Sequence, residues 1–221
     1  MFRCGGAFLF GNSDFEVIKN GVDTEKFSFN PAYRDEIRRE FDIGDRFTLC
    51  HVGMFAPVKN HEFLIDIFAS VVKKHQDSVL LLVGTGLEEE KIRGKVSMLG
   101  LSEKVIFAGR RTDVERIMSA ADAFVLPSLF EGLGIVLIEA QSSGLNCFAS
   151  PGVPEEAKLL DNFEFIPLDI GAEAWADRIL SAALNPNRAL ASAVVAAAGY
   201  DCKLTAARIE EIYSQQIALC L

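Results

Sequence analysis

The chain is poor in everything that would tie it to a metal, a membrane or a nucleic acid. Its three histidines, His51, His61 and His75, form no metal-spaced cluster with cysteine. Its five cysteines, Cys4, Cys50, Cys147, Cys202 and Cys220, are odd in number, widely spaced and include no C-x-x-C pair. They read as free thiols of a reducing compartment. Cys50 and Cys147 lie in strand-like runs and are expected in the core. No apolar run approaches the ~18 residues of a membrane span. The stretch at 7–10 is too short for the core of a signal peptide. A cytoplasmic location is the expectation that follows. Basic residues are the minority, 22 against 31 acidic, for a net charge of −9. Nucleic acid, which wants a basic face, is thereby disfavoured. Repeats and low-complexity stretches are absent.

What is present is a globular chain of 221 residues, 50% of them hydrophobic, with a mean hydropathy of +0.22. That length is enough for one good core or two small ones. Apolar runs at 47–52, 78–83, 104–108, 123–126, 146–149 and 164–167 predict strands. Helical patterns fall between and after them, at 32–41, 61–75, 87–99, 113–121, from 135 onward, 172–184, 187–198 and 201–217. In the helix at 61–75, Phe63, Leu64, Ile67, Phe68, Val71 and Val72 share one face. His61 and His75 are assigned to its polar face. Pro31 can open the first helix, and Asp113 or Thr112 can cap the fourth. The run at 15–18 reads as a brief strand ended by an Asn20-Gly21 turn. Lys26 and Arg34 are assigned to the surface. This alternation, joined by loops of roughly 2–6 residues, predicts a three-layer α/β domain with a doubly wound, mostly parallel, Rossmann-like sheet.

Ligands of such sheets bind outside the carboxyl ends of the strands. Gly53, Gly84, Gly109 and Glu131 all fall at those ends. The fullest signal is at 122–144, where a buried strand ends at Pro127, a turn carries Glu131-Gly132-Leu133-Gly134, and a helix carries Glu139. Glycine lets backbone approach a ligand closely. The free N–H groups of a helix start make an anion site. The two carboxylates stand on the order of 9–12 Å apart at ~1.5 Å per residue. That span suits one elongated polar ligand better than one metal ion, and each carboxylate can accept from a pair of adjacent hydroxyls. The residues equally allow an ordinary loop acid followed by a solvated helix acid.

The stretch Ser128-Leu-Phe-Glu131-Gly132-x-Gly134…Glu139-Ala140 resembles the E-x7-E element of retaining glycosyltransferase family 4, glycosyl transferases group 1. The resemblance runs from about Asn20 to Tyr213. It implies the donor-binding half of a GT-B enzyme of the bacterial capsular or exopolysaccharide type. Such an enzyme transfers a hexosyl group from a nucleoside-diphosphate sugar to a glycan or lipid-linked acceptor, with retention and with no metal or other cofactor. The resemblance assigns Glu131 to the sugar hydroxyls and Glu139 to the ribose. It assigns Lys59 and the backbone of Gly132, Leu133 and Gly134 to the diphosphate. Glu131 and Lys59 are the expected catalytic pair. The turns at Gly84 and at Gly109-Arg110 are placed near the nucleotide, and Glu156 lies in a loop expected to close over the donor.

The family pattern Gly-Arg-x-x-x-x-Lys is kept at Gly53 and Lys59, but Met54 stands where the arginine belongs. The resemblance also implies that residues 1–23 are a remnant of an N-terminal domain and its hinge, and that 24–221 form the nucleotide-sugar-binding domain. The partner domain would then lie outside this chain, and peripheral contact with the inner face of the membrane would belong to the full-length enzyme. Uncovered apolar surface at 2–10 and on the last helix predicts a homodimer. Two rivals stand beside this reading. One is a stand-alone nucleotide-sugar-binding module or inactive remnant. The other is a hydrolase or epimerase of the same overall fold; an epimerase would want acids and a histidine at the cleft bottom in both domains, and the sequence offers no such histidine.

Overall fold

A computed structural model describes residues 16–219. Six strands form one sheet: β1 (Phe47–Val52), β2 (Ser78–Val83), β3 (Val105–Gly109), β4 (Ala123–Leu126), β5 (Asn146–Ala149) and β6 (Phe163–Phe165). Their order is β3-β2-β1-β4-β5-β6, and every pairing is parallel. The predicted doubly wound parallel sheet is therefore observed. A parallel sheet covered on both faces needs strands apolar on both faces. β2 and β4 are accordingly buried along their whole length.

The helices are α1 (Pro31–Glu40), α2 (His61–Lys74), α3 (Glu89–Met98), α4 (Val114–Ala120), α5 (Ile135–Ser142), α6 (Gly171–Ser181), α7 (Ala191–Val195) and α8 (Cys202–Leu219). One core lies between the sheet and α1, α4, α5 and α7, with Ile37, Ile117, Ile138 and Val195 among its residues. The other lies between the sheet and α2, α3 and α6, with Phe68, Ile92 and Trp175. Trp175 is fully buried because its indole N–H donates to the Pro167 carbonyl at 2.9 Å and its ring meets Phe63 edge-on. Cys50 and Cys147 are in the core, as expected.

Some local expectations change. Glu16–Ile18 form no strand, while Phe15 lies outside the described residues. Asn20-Gly21 is not a turn. Val22 forms a bridge with Asp201, and a side chain on Gly21 would stand 2.6 Å from Cys202 Cα. The glycine is there for close approach. The helix expected over 187–198 is instead a short 3-10 turn, α7 and a π turn at Ala196–Tyr200. Asp113 stands at the N-cap position of α4 but does not cap it; its carboxylate holds Arg111.

Arg34 is not a plain surface residue. Arg34 and Arg38 both donate to the Ala120 carbonyl at the end of α4, and Arg188 donates to that of Met118. Cations there satisfy orphan carbonyls and the helix dipole. Arg34 also grips Asp122, whose second oxygen accepts from Thr48 N of β1. On α8, Leu204, Tyr213 and Ile217 are exposed, so its apolar side is left open. The apolar run at 2–10 is outside the described residues.

Candidate functional site

The strand order reverses between β1 and β4, so their two outgoing loops splay apart and leave a crevice. The loop after β1 carries Gly53 to Asn60. The loop after β4 carries Pro127 to Gly134. Leu129 N donates to the Val58 carbonyl at 2.8 Å, and Asn60 Nδ2 donates to the Pro127 carbonyl at 3.1 Å. Asn60 takes the left-handed conformation, φ +55°, which asparagine tolerates better than most residues.

These ties bring Lys59 and Glu131 together. The ammonium lies 2.6 Å from Glu131 Oε1, and both side chains are largely buried. Ser128, itself fully buried, donates its hydroxyl to the same oxygen at 2.6 Å. Two donors on Oε1 fix the carboxylate, and Oε2 takes no hydrogen bond among the described residues. Glu131 N is held by the Gly152 carbonyl of the next loop at 2.9 Å. A side chain on Gly152 would strike the Leu129 and Ser128 carbonyls at 2.5 and 2.7 Å.

Past Glu131 the backbone opens. Gly134, at φ +71°, is the N-cap of α5 and supplies no side-chain cap. The first N–H groups of a helix have no acceptor within it. Gly132 is exposed, lacks a positive φ and has open space where a side chain would stand. On the other side of the crevice the turns interlock. Gly53 N donates to the Val83 carbonyl and Gly84 N to that of Gly109, each at 2.9 Å.

Met54 is 65% exposed at the rim. Arg110 is exposed, with no ion pair or side-chain hydrogen bond among the described residues. Glu156 is exposed, and its carbonyl accepts from the Tyr200 hydroxyl at 3.3 Å.

Glu139 stands apart from Glu131, half-buried on α5. Burial pushes its carboxyl up to about 7, with Glu115 raising it further and Lys26 opposing. Lys26 is exposed, as assigned, and its ammonium also lies 3.4 Å from Glu115. An acid raised in the folded state binds its proton more tightly there than in the unfolded chain. It therefore withdraws stability as pH rises from 4.5 to about 7. Glu139→Gln is expected to raise the melting temperature at pH 8 and leave it unchanged at pH 4. Equal melting temperatures at pH 8 would show that Glu139 ionises there without cost.

Three groups escaped sequence reasoning. Ser128 was visible only as a letter beside Glu131. His51 lies in β1 as the strand at 47–52 implies, but His61 is not a polar-face residue; both are buried, with rings 4.6 Å apart, and His61 stacks on Phe55 at 4.3 Å. The strand alternation that puts His51 beside Leu49 and under α2 was available in the sequence. The burial of a helix-start histidine was not.

The family model "Glycosyl transferases group 1" matches residues 33–197. The Bacillus subtilis (strain 168) "Putative glycosyltransferase EpsF" is 33% identical over 223 residues, covering 96% of this chain and 58% of the relative. An Escherichia coli UDP-Gal:alpha-D-GlcNAc-diphosphoundecaprenol alpha-1,3-galactosyltransferase is 36% identical over 141 residues, covering 61% of this chain and 36% of that protein. The crystal structure of Anabaena Alr3699/HepE in complex with UDP and glucose superposes with a TM-score of 0.75 at 24% identity, over 90% of this chain and 56% of that one. The chain thus spans little more than half the length of EpsF and HepE.

Proposed function

Because the chain belongs to the glycosyl transferases group 1 family and folds as one half of a GT-B enzyme, we propose that it binds the nucleoside-diphosphate sugar of a retaining hexosyl transfer. The observation that carries this reading is the meeting of Lys59 and Glu131 at the switch point of the sheet, beside an uncapped helix start. A cation and free N–H groups suit a diphosphate. A carboxylate with one fixed and one open oxygen suits vicinal hydroxyls. In the reaction the bond from the anomeric carbon to the β-phosphate oxygen breaks with its electron pair staying on the diphosphate, while the acceptor's hydroxyl oxygen bonds to that carbon and its proton passes to the leaving diphosphate. Lys59 and the backbone of Gly132, Leu133 and Gly134 are placed to meet that growing charge. Glu131 Oε2 takes sugar hydroxyls and Glu139 the ribose. Gly84, Gly109 and Arg110 line the side assigned to the base. The acceptor, and the rest of the catalytic machinery, belong to a partner GT-B domain.

UDP is the first probe, since it is the nucleotide held by HepE and named in the Escherichia coli relative. Calorimetry is expected to find UDP or its sugar bound by the isolated chain, with no transfer to an acceptor. Robust turnover by this chain alone would overturn the need for a second domain. Failure to bind UDP, GDP and their sugars would remove the donor-site reading.

Met54 favours a second reading, a binding module with weak or no transfer. Its side chain is exposed rather than packed on the loop, so an arginine there would reach the crevice with a planar fork of donors. Charge-assisted hydrogen bonds contribute roughly 1.5–3 kcal/mol. Met54→Arg is therefore expected to bind UDP about ten-fold tighter or more, with steeper salt dependence. Affinity unchanged within about two-fold, well under the 1.4 kcal/mol that ten-fold represents, would show that this rim does not meet the diphosphate.

A further inference from the structure

Behind the Lys59 loop sits a cluster of unpaired buried polar atoms. His51 Nε2 and both ring nitrogens of His61 are buried with no hydrogen-bond partner. Buried polar groups are nearly always paired, and an unpaired one destabilises the fold. Two apolar rings of similar size would fill the space without that penalty. A functional role is one reason for such a feature to persist.

The geometry says what His51 offers. Its Nδ1 lies 2.8 Å from the Val125 carbonyl. A carbonyl only accepts, so Nδ1 carries the proton and Nε2 is a bare acceptor. Burial and the nearby Lys59 charge keep the ring neutral, with its pKa pushed down to about 4. His61, stacked on Phe55, packs edge-on against the His51 ring.

Gly53 decides where the bare nitrogen looks. A Cβ on Gly53 would lie 3.0 Å from His51 Nε2, 3.4 Å from Lys59 Cδ and 3.5 Å from Lys59 Cε. The missing side chain is thus the gap between the imidazole and the end of the lysine. The ammonium has three N–H groups. Glu131 Oε1 takes one of them.

We propose that His51 is a positioning residue for Lys59. When a donor binds, its Nε2 accepts a hydrogen bond from the ammonium, directly or through one water, and holds that charge on the diphosphate. The proposal rests on the donor-site reading above. It adds a requirement for Gly53 beyond backbone freedom, because any side chain there would stand between the two partners.

The test is a double-mutant cycle on the full chain, reading UDP affinity by calorimetry for the unsubstituted protein, His51→Phe, Lys59→Ala and the pair. His51→Phe is expected to weaken UDP about ten-fold while its melting temperature stays equal or rises. Lys59→Ala should then cost distinctly less in the His51→Phe background than alone. Unchanged affinity in His51→Phe, or two independent losses that simply add, would overturn the proposal and leave the donor site standing. No UDP binding by the unsubstituted chain would overturn both. Should His51→Phe fail to fold, nitrogen-15 imidazole spectra of the unsubstituted chain decide. The bare Nε2 resonance of His51 is expected to move on adding UDP and to stay still in Lys59→Ala. Its standing still in both would refute the role.

Discussion

A chain carrying Glu131→Ala is expected to bind UDP at least as tightly as the unsubstituted chain, and to lose any preference for a UDP-sugar over UDP. The two halves of this result have one cause. Lys59 is committed to Glu131 Oε1 at 2.6 Å before any ligand arrives. Removing the carboxylate releases the ammonium for the diphosphate, a gain of up to about ten-fold, or 1.4 kcal/mol. The sugar meanwhile loses its acceptor, and hydrogen bonds to a charged group contribute about 1.5–3 kcal/mol. Lys59→Ala should do the reverse, weakening UDP while leaving a buried carboxylate without its cation. In a complete two-domain enzyme, Glu131→Ala should cut transfer on the order of 10²–10³-fold, the usual loss when one preorganised stabilising group goes. Calorimetry with UDP and UDP-glucose, then a transfer assay on the complete enzyme, checks each part. Weaker UDP binding in Glu131→Ala would mean that the pair acts as a single phosphate clamp, and the division of labour between the two residues would fall.

Gly84→Ala is expected to be the most destabilising methyl that can be added at this end of the sheet. Gly84 has φ +137°, and its Cβ would lie 2.0 Å from the Gly53 carbonyl oxygen and 2.9 Å from its carbon. Both atoms are backbone, so no side chain can swing away. The first residues of the β1–α2 loop would have to move, taking Lys59 with them. A loss of more than about 3 kcal/mol is expected, in the class of strain at a special backbone position. Gly132→Ala is the matching control. Its Cβ meets nothing within 4 Å, and its φ is not positive. Its stability should stay within about 0.5 kcal/mol, yet UDP should bind more weakly because the ligand needs that backbone bare. Chemical denaturation and UDP titration of both variants separate a glycine required by the fold from one required by the ligand. Equal stabilities would show that the two turns are not locked together.

The elements were legible because their signals are local. Short apolar runs such as Val79–Val83, ended by a glycine turn, read as buried strands, and Leu64, Ile67, Phe68 and Val71 repeat at helical spacing. Alternation then leaves few topologies, since parallel crossovers are right-handed and short. The weak points were also local. Alanine-rich 187–198 reads as helix by propensity, yet Gly199 at φ +87° and the docking of Arg188 against α4 break it into short turns. Val22 pairs with Asp201 across 179 positions, which no window of sequence can register.

The sequence by itself determined the fold class, the glycine turns at the strand ends and the placing of Lys59 and Glu131 in loops that follow strands, because periodicity and strand-end position are properties of neighbouring residues. Only the tertiary structure decided how these groups are charged and aimed. The Lys59–Glu131 contact spans 72 positions and exists because two loops are stitched across the switch point. The raised carboxyl of Glu139 comes from burial on α5, the neutral His51 from burial beside the Lys59 charge, and its tautomer from the Val125 carbonyl. Desolvation and hydrogen-bond geometry depend on what packs around a group in space, and chain order does not carry that information.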